Sequence, residues 1–177
     1  MNILVTGAAG FIGSHLCDYL LKKNFNVTGV DNFSLGLKGN IEHLESNDNF
    51  TFFKMDLTDF DSSLQLYQNK DIDMTFHLAA NSDIRKGIES TRTDLDCNLI
   101  STYNVLESMK QTGSTKILFS PLCKIVGSFV PTSSILRLTI SIDCFKAELF
   151  IVNRPYFENK TFTLLFSKIS KSNSNEL

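Results

Sequence analysis

The chain has 177 residues, of which 42% are hydrophobic and 20% are charged, and its formal net charge is −2. This composition is typical of a single soluble globular domain, and the near-zero charge gives no electrostatic basis for binding nucleic acid or an anionic membrane. No apolar run approaches the length of a membrane span, and the opening apolar run is too short for a signal peptide. We therefore expect no nucleic acid and no membrane among its partners.

The four cysteines have neither the CxxC spacing of redox motifs nor the spacing of metal ligands. They are Cys17, Cys97, Cys123 and Cys144, and each lies among apolar residues. This usage predicts free thiols in a reducing compartment. We therefore expect a cytoplasmic protein without a metal site.

The first predicted element is a buried parallel strand, because no polar residue interrupts the run 3–5. Three glycines follow at a spacing of three, at Gly7, Gly10 and Gly13. In a dinucleotide-binding turn the first glycine permits a tight reversal, the second lets the backbone approach a pyrophosphate, and the third lets the helix pack on the strand. The helix that begins near Phe11 points its free N–H groups and its positive dipole end at the phosphates.

The helix and the strand after it extend this pattern. Apolar residues recur at helical spacing at Ile12, Leu16 and Leu20, and two lysines end the helix. A second strand over 27–30 then ends in Asp31. A carboxylate at this point accepts hydrogen bonds from both hydroxyls of an adenosine ribose and repels a 2′-phosphate, so it favours NAD over NADP. The alternative is an ordinary βαβ unit with a loop carboxylate, and the order of strand, glycines, helix, strand and acid disfavours it.

The loop over 32–36 is expected to wrap the adenosine side of a cofactor. A third strand over 50–55 then ends at Asp56 and Leu57. Leu57 is placed to flank an adenine while Asp56 approaches the edge of the ring. Asp56 as the N-cap of a helix over 59–67 is an equally favoured alternative.

A fourth strand over 74–78 ends in Ala79 and Ala80. Small residues at the carboxyl end of a strand suit a backbone that passes close to a ligand, and open α/β sheets bind their ligands there. His77 lies inside this strand, where a general base is one interpretation. Its alternation with Thr75 favours the other, a core histidine with satisfied hydrogen bonds.

A long amphipathic helix is predicted over 94–109. Its apolar residues on one side are Leu95, Leu99, Tyr103, Leu106 and Met109. Asn98 lies on a different stripe, from which it reaches either the cofactor or a neighbouring loop. A fifth strand is predicted over 116–120. The alternation of strands and helices up to this point is typical of an α/β fold with a Rossmann-like, doubly wound parallel sheet.

Several motifs resemble the NAD-dependent epimerase/dehydratase family of extended short-chain dehydrogenases/reductases. They are Thr6–His15, Asp31–Asn32, Asp56–Leu57, His77–Asn81 and Asn98 followed by Thr102–Leu106. The match covers residues 1–120, and it is specific because independent motifs appear in order. The resemblance implies a tightly held NAD surrounded by Gly7, Gly10, Phe11, Ile12, Gly13, Asp31, Asn32, Asp56, Leu57, Leu78, Ala79, Ala80, Asn98 and Ser120.

The resemblance also implies a reaction. Within the family the chain is most similar to epimerases that remove a hydride from C4 of a nucleotide sugar and return it to the other face. A partner of the UDP-glucose/UDP-galactose class follows from this resemblance, with a homodimer as a candidate assembly. The family uses a tyrosine to move the hydroxyl proton, a lysine four residues later on the same helix face to lower the pKa of that tyrosine, and a serine or threonine to hold the reacting oxygen.

The chain departs from this catalytic pattern after residue 120. Leu122 stands where the family has its hydroxyl donor. In the segment 142–146, Lys146 matches the lysine, but Ile142 stands at the position of the tyrosine. Neither apolar side chain can transfer a proton, so we expect catalysis to be impaired.

We predict a Rossmann-like NAD-binding domain over 1–166, well matched over 1–120 and degenerate over 121–166, with a frayed tail over 167–177. The family's substrate domain is expected to be largely missing, as in a truncated or frame-disrupted gene product. Three functions follow: a nucleotide-sugar epimerase homologue with impaired catalysis, a sugar-nucleotide 4,6-dehydratase relative, or a non-catalytic NAD-binding pseudoenzyme. The dehydratase needs a carboxylate pair near the tyrosine, and 121–123 contain none, so the first is favoured.

Overall fold

The computed structural model describes residues 1–119 in full and the backbone of residues 135–142 and 145–152. Its strands are β1 (Asn2–Thr6), β2 (Asn26–Asp31), β3 (Phe50–Lys54), β4 (Met74–His77), β5 (Ile117–Phe119), β6 (Ile135–Ile142) and β7 (Phe145–Val152). Its helices are α1 (Phe11–Lys22), α2 (Phe60–Asn69), α3 (Ile84–Glu89), α4 (Thr91–Asp94) and α5 (Ser101–Thr112). A π-helical turn, Leu95–Ile100, joins α4 to α5, and two short 3-10 turns, Lys38–Asn40 and Glu42–Leu44, follow β2.

The first five strands form a parallel sheet in the order β3-β2-β1-β4-β5. The chain runs outward from β1 to β3 and then crosses to β4 on the other side of β1, so the winding direction reverses there. Open α/β sheets bind their ligands at this reversal, outside the carboxyl ends of the strands. The Rossmann-like, doubly wound prediction is confirmed. Beyond β5 the sheet continues with an antiparallel pair, in which β7 lies against β5 and β6 against β7.

Different helices cover the two faces of the parallel sheet. Side chains alternate along β1, so Ile3 and Val5 belong to the core cluster that contains Cys17 and Leu20 of α1. The intervening Leu4 belongs to the second cluster, which contains apolar residues of α2 and α5. Both faces are therefore buried, as a parallel sheet requires.

The apolar sides of two helices are rotated from the predicted ones. In α1 the side chain of Ile12 is 40% exposed and Leu16 is only partly buried, whereas Cys17, Leu20 and Leu21 are buried. After the π-helical turn, Tyr103 is 58% exposed, whereas Val105, which was not predicted, is buried together with the predicted Met109. A π-helix bonds residue i to i+5 and so takes more residues per turn, which rotates the face of the helix that follows it.

Two of the cysteines lie in the described part of the chain, and both are free thiols. Cys17 is buried, and this burial raises the pKa of its thiol to about 12. Cys123 and Cys144 lie outside the described residues. No helix among the described elements has the length and apolarity that a membrane crossing requires. The same part of the chain contains no cluster of His, Cys, Asp and Glu side chains that could hold a metal ion.

Candidate functional site

A cavity of about 390 Å³ opens at the carboxyl edge of the parallel sheet. The residues that the resemblance placed around NAD and that line this cavity are Gly7, Gly10, Phe11, Ile12, Gly13, Asp31, Asn32, Asp56, Leu57, Leu78, Ala79 and Ala80. They come from the ends of β1, β2, β3 and β4 and from the first turn of α1. The topology therefore gathers four separate motifs at the winding reversal.

The glycine turn at the end of β1 has the geometry that its spacing predicts. Gly7 has φ +70°, a left-handed conformation that other residues rarely adopt. A Cβ atom on Gly13 would collide with the carbonyl group of Gly7, so only glycine lets α1 pack this closely. A Cβ on Gly10 would come no nearer than 3.2 Å to any atom, and this residue faces the cavity. The predicted roles of Gly7 and Gly13 are confirmed.

The N-terminus of α1 points unsatisfied donors at the same space. No side chain caps this helix, and its first turn contains no acidic residue. Among the described residues, the backbone N–H groups of Phe11 and Ile12 have no acceptor. Free N–H groups at the positive end of a 12-residue helix attract an anion such as a diphosphate.

Asp31 lines the cavity on the β2 side. The Oδ2 atom accepts a hydrogen bond from the backbone N–H of Ala9 at 3.0 Å, and Oδ1 accepts one from that of Phe33 at 2.8 Å. Each oxygen keeps a further lone pair for a ligand donor. The carboxylate is thus fixed in direction before any ligand arrives, and its contact with a ribose stays a prediction.

Asp56 lines the cavity beside Asn32 and does not cap a helix. Its carboxylate accepts hydrogen bonds from the backbone N–H and hydroxyl of Thr58 at 2.9 and 2.7 Å, and from the amide of Asn32 at 3.1 Å. Partial burial alone raises the pKa of Asp56, but these hydrogen bonds outweigh it and hold the pKa below its usual value. The N-cap of α2 is Asp59, which accepts from the backbone N–H of Asp61 at 3.1 Å. The capping alternative for Asp56 was wrong.

His77 is fully buried behind the cavity wall and does not line the cavity. Its Nδ1 lies 2.9 Å from the hydroxyl of Thr6, and its Nε2 lies 2.9 Å from the hydroxyl of Thr102. Burial lowers the pKa of the ring to about 4, so the ring is neutral at physiological pH. The interpretation of His77 as a hydrogen-bonded core residue is confirmed.

Asn98 bonds a neighbouring loop, which is the second of its two predicted roles. Its Oδ1 accepts a hydrogen bond from the backbone N–H of Asn81 at 2.8 Å, and its Nδ2 donates to Asp94 at 3.3 Å. It therefore fastens the loop after β4 and does not line the cavity. Its contact with a cofactor stays a prediction, and Ser120 lies outside the described residues.

Further residues line the cavity although the motifs did not single them out: Val30, Met55, Thr58, Ser82, Cys97 and Ser101. Cys97 and Ser101 are four residues apart, on and just after the π-helical turn. A spacing of four places both side chains on one face of a helix. The π-helical turn rotates that face, so it points in a different direction from the one it would have in an ordinary α-helix. Burial raises the pKa of the Cys97 thiol, and the nearby carboxylates of Asp56, Asp96 and Asp94 raise it further.

The catalytic positions do not share a helix. Ile142 ends β6 and Lys146 lies in β7, where it is opposite Ser141. The resemblance implies one helical face for these two positions, and the backbone is instead a pair of antiparallel strands, because the run 135–152 is rich in β-branched and apolar residues. Leu122 lies outside the described residues. A catalytic role for Lys146 stays a prediction.

Comparison with known proteins agrees with this geometry. A family profile described as GDP-mannose 4,6 dehydratase matches residues 4–123. UDP-glucose 4-epimerase of Mycolicibacterium smegmatis is 36% identical over 118 residues, which are 67% of this chain and 37% of that protein. The chain spans about two fifths of the length of the curated relatives it matches.

Solved structures with the same fold include two epimerases. The UDP-Glc/GlcNAc 4-epimerase of Campylobacter jejuni superposes with a TM-score of 0.63 at 34% identity, over 67% of this chain and 36% of that one. The UDP-glucose 4-epimerase of Thermus thermophilus, solved in complex with NAD, superposes with a TM-score of 0.60 at 32% identity, over 66% of this chain and 36% of that one.

Proposed function

This chain belongs to the NAD-dependent epimerase/dehydratase family, and from this premise we propose that its cavity binds NAD and that it is a homologue of the UDP-glucose 4-epimerases. One observation carries the proposal. The uncapped N-terminus of α1 and the glycine turn lie between the Asp31 carboxylate on one side and the small residues Ala79 and Ala80 on the other. This is the arrangement that a dinucleotide requires, with phosphates at the centre and one nucleoside on each side.

Cavity residues on the two sides of β1 suit different parts of the ligand. The backbone at Gly10 and the N–H groups of Phe11 and Ile12 suit the pyrophosphate, because bare backbone and free donors meet there. Asp31 and Asp56, at the ends of β2 and β3, suit the adenosine half. The loop 78–80 at the end of β4 is left for the nicotinamide half. NAD, when bound, supplies the oxidising equivalent for an alcohol carbon of a sugar.

Titration calorimetry of the full chain with NAD tests this proposal, with Asp31→Ala as the decisive variant. Loss of a charged hydrogen-bond acceptor predicts binding about 10- to 100-fold weaker, together with a reduced preference for NAD over NADP. Asp61→Ala is the matched control, because it removes an exposed carboxylate from α2, away from the cavity, and we expect unchanged affinity. Equal NAD affinity in wild type and Asp31→Ala would contradict the assignment.

We infer further that catalysis is impaired in this chain. Leu122 replaces the hydroxyl that holds the reacting oxygen, and Ile142 replaces the tyrosine that moves the proton. Loss of one general acid/base costs about 10²- to 10⁴-fold in rate, and here both groups are replaced. The expected substrate class is a nucleotide sugar of the UDP-glucose/UDP-galactose type, supported by the activities in the names of the relatives.

Two other functions remain candidates. The family profile described as GDP-mannose 4,6 dehydratase supports a sugar-nucleotide 4,6-dehydratase relative. The two replaced catalytic positions support an NAD-binding pseudoenzyme, which would bind NAD tightly without oxidising any nucleotide sugar. A homodimer and a cytoplasmic location also remain proposals, the second supported by the free thiols of Cys17 and Cys97.

A further inference from the structure

We propose that Thr6, His77 and Thr102 form a buried hydrogen-bond relay that positions the Leu78–Ala79 peptide, one wall of the cavity, with His77 as the neutral tautomer protonated at Nε2. The relay joins the end of β1, the end of β4 and the start of α5. In this role His77 is a positioning residue, which acts on a ligand only through the wall. The inference rests on the proposed function in one respect, namely that the ligand is a dinucleotide.

The contacts form a continuous chain. The hydroxyl oxygen of Thr6 lies 2.9 Å from Nδ1 of His77 and accepts the backbone N–H groups of Leu78 and Ala79, each at 3.2 Å. Nε2 of His77 lies 2.9 Å from the hydroxyl of Thr102, which donates at 2.7 Å to the backbone carbonyl of Asn98. Thr6 and His77 are fully buried, and Thr102 is 3% exposed. Solvent therefore cannot replace the two bonds of the His77 ring.

The direction of each bond follows from what each atom can donate. The carbonyl of Asn98 can only accept, so the single hydroxyl hydrogen of Thr102 is donated to that carbonyl. The bond between Thr102 and the ring must therefore use a proton on Nε2 of His77. The Thr6 oxygen already accepts two N–H groups, so its own hydrogen is directed at Nδ1. The ring thus carries one proton, at Nε2. A second proton at Nδ1 would face an oxygen whose lone pairs are both occupied.

The relay matters for binding because it ends on a close contact inside the cavity. A Cβ atom on Gly7 would lie 2.9 Å from both the backbone nitrogen of Ala79 and the carbonyl carbon of Leu78. The glycine turn and the Leu78–Ala79 peptide are therefore packed backbone against backbone, and both line the cavity. The Thr6 hydroxyl holds this peptide together with the Thr6 backbone carbonyl, which also accepts the Leu78 N–H at 3.2 Å, so Thr6 sets the spacing between the two walls.

The topology predicts which half of the ligand depends on that spacing. Asp31 lies at the end of β2, on one side of β1, and the Leu78–Ala79 peptide follows β4 on the other side. Loosening this peptide should weaken the binding of NAD, which spans both sides. It should leave the binding of AMP, which needs only the Asp31 side, unchanged.

Calorimetric titration of the full chain with NAD and with AMP compares Thr6→Val with Thr75→Val. Both variants remove a buried, hydrogen-bonded hydroxyl from a central strand, because Thr75 bonds Tyr67 at 2.7 Å. Loss of the Thr6 hydroxyl removes one acceptor from the Leu78 and Ala79 N–H groups, while Leu78 keeps the backbone carbonyl of Thr6 at 3.2 Å. We therefore expect NAD binding to be about tenfold weaker in Thr6→Val. We expect its AMP affinity to be unchanged, and both affinities to be unchanged in Thr75→Val despite a comparable loss of thermal stability.

Substitutions of His77, and the NMR spectrum of its ring in the wild-type chain, provide a second test. The Oδ1 of asparagine can replace Nδ1 as the acceptor for Thr6, so His77→Asn should retain more NAD affinity than His77→Leu. NMR of the His77 ring nitrogens in the wild-type chain should find the proton at Nε2. An NAD-to-AMP affinity ratio in Thr6→Val equal to that of wild type, or a proton at Nδ1, would overturn the relay. A wild-type chain that binds neither NAD nor AMP would instead overturn the proposed function, and with it this role for the wall.

Discussion

Polar side chains around the cavity are held by backbone groups that are distant in sequence. Asp31 accepts the N–H of a residue 22 positions earlier, and Asn98 accepts the N–H of Asn81, 17 positions earlier. Such bonds fix the direction of a side chain before a ligand arrives, so less ordering entropy is lost on binding. At the scale of single residues, the site is therefore largely pre-formed.

His77 makes folding stability depend on pH. Its pKa is about 4 in the folded chain and 6.5 in a solvated one, because burial penalises the charged ring. As pH falls below 6.5 the unfolded chain takes up this proton first, so the contribution of His77 is fully present above pH 6.5 and declines towards pH 4. We expect this residue alone to lower the free energy of unfolding by about 2 kcal/mol between pH 7 and pH 4.5.

Urea denaturation at these two pH values measures that difference. His77→Asn should reduce the pH dependence of stability by that amount, since it removes the titrating ring. The same pH dependence in His77→Asn and wild type would argue against the buried, neutral ring.

At the scale of elements, the π-helical turn decides which side chains face the cavity. It orients Cys97 and the following Ser101 towards the cavity, while Asn98 is directed at the loop after β4. The carbonyl groups of Cys97 and Asn98 are taken up by the hydroxyls of Ser101 and Thr102. Hydroxyl side chains four residues ahead thus satisfy backbone groups at the junction between the two helical forms.

The N-cap of α2 is a second local feature, and its contribution to the free energy of unfolding can be measured. Asp59 accepts backbone N–H groups of the first turn, so Asp59→Ala should lower the free energy of unfolding. Asp59→Asn is the matched control, because asparagine caps helices as well as aspartate does. Denaturant unfolding of the two variants compares them directly. A loss of equal size in both would indicate a role for the charge of Asp59 and not for its cap.

At the scale of the molecule, the parallel sheet with its cavity is followed by a segment in which our alignment places Leu122 and Ile142 at two catalytic positions of the family. We expect the chain to bind NAD and to show no measurable interconversion of UDP-galactose and UDP-glucose, because Leu122 and Ile142 cannot move a proton. A coupled assay, with NAD binding measured on the same sample and the Mycolicibacterium smegmatis enzyme as positive control, checks this. Turnover comparable to the control would contradict our alignment of these two positions.

The parallel sheet, the glycine turn and the acidic residue at the end of β2 are determined by the sequence alone. Buried strands, a three-glycine turn and a carboxylate each depend on residues a few positions apart, and local sterics are enough to specify them. The same holds for His77, whose alternation inside a strand indicated a core position.

Other features were decided only by tertiary structure. The sequence left Asp56 open between a ligand contact and a cap, and packing placed the cap three residues later at Asp59. It also left Asn98 open between the cofactor and a neighbouring loop, and the structure bonds this residue to Asn81 and brings Cys97 to the cavity. These outcomes depend on one extra residue in a helical turn and on hydrogen bonds between segments far apart in the chain. Neither feature changes the periodic pattern of apolar residues, so the sequence does not indicate it.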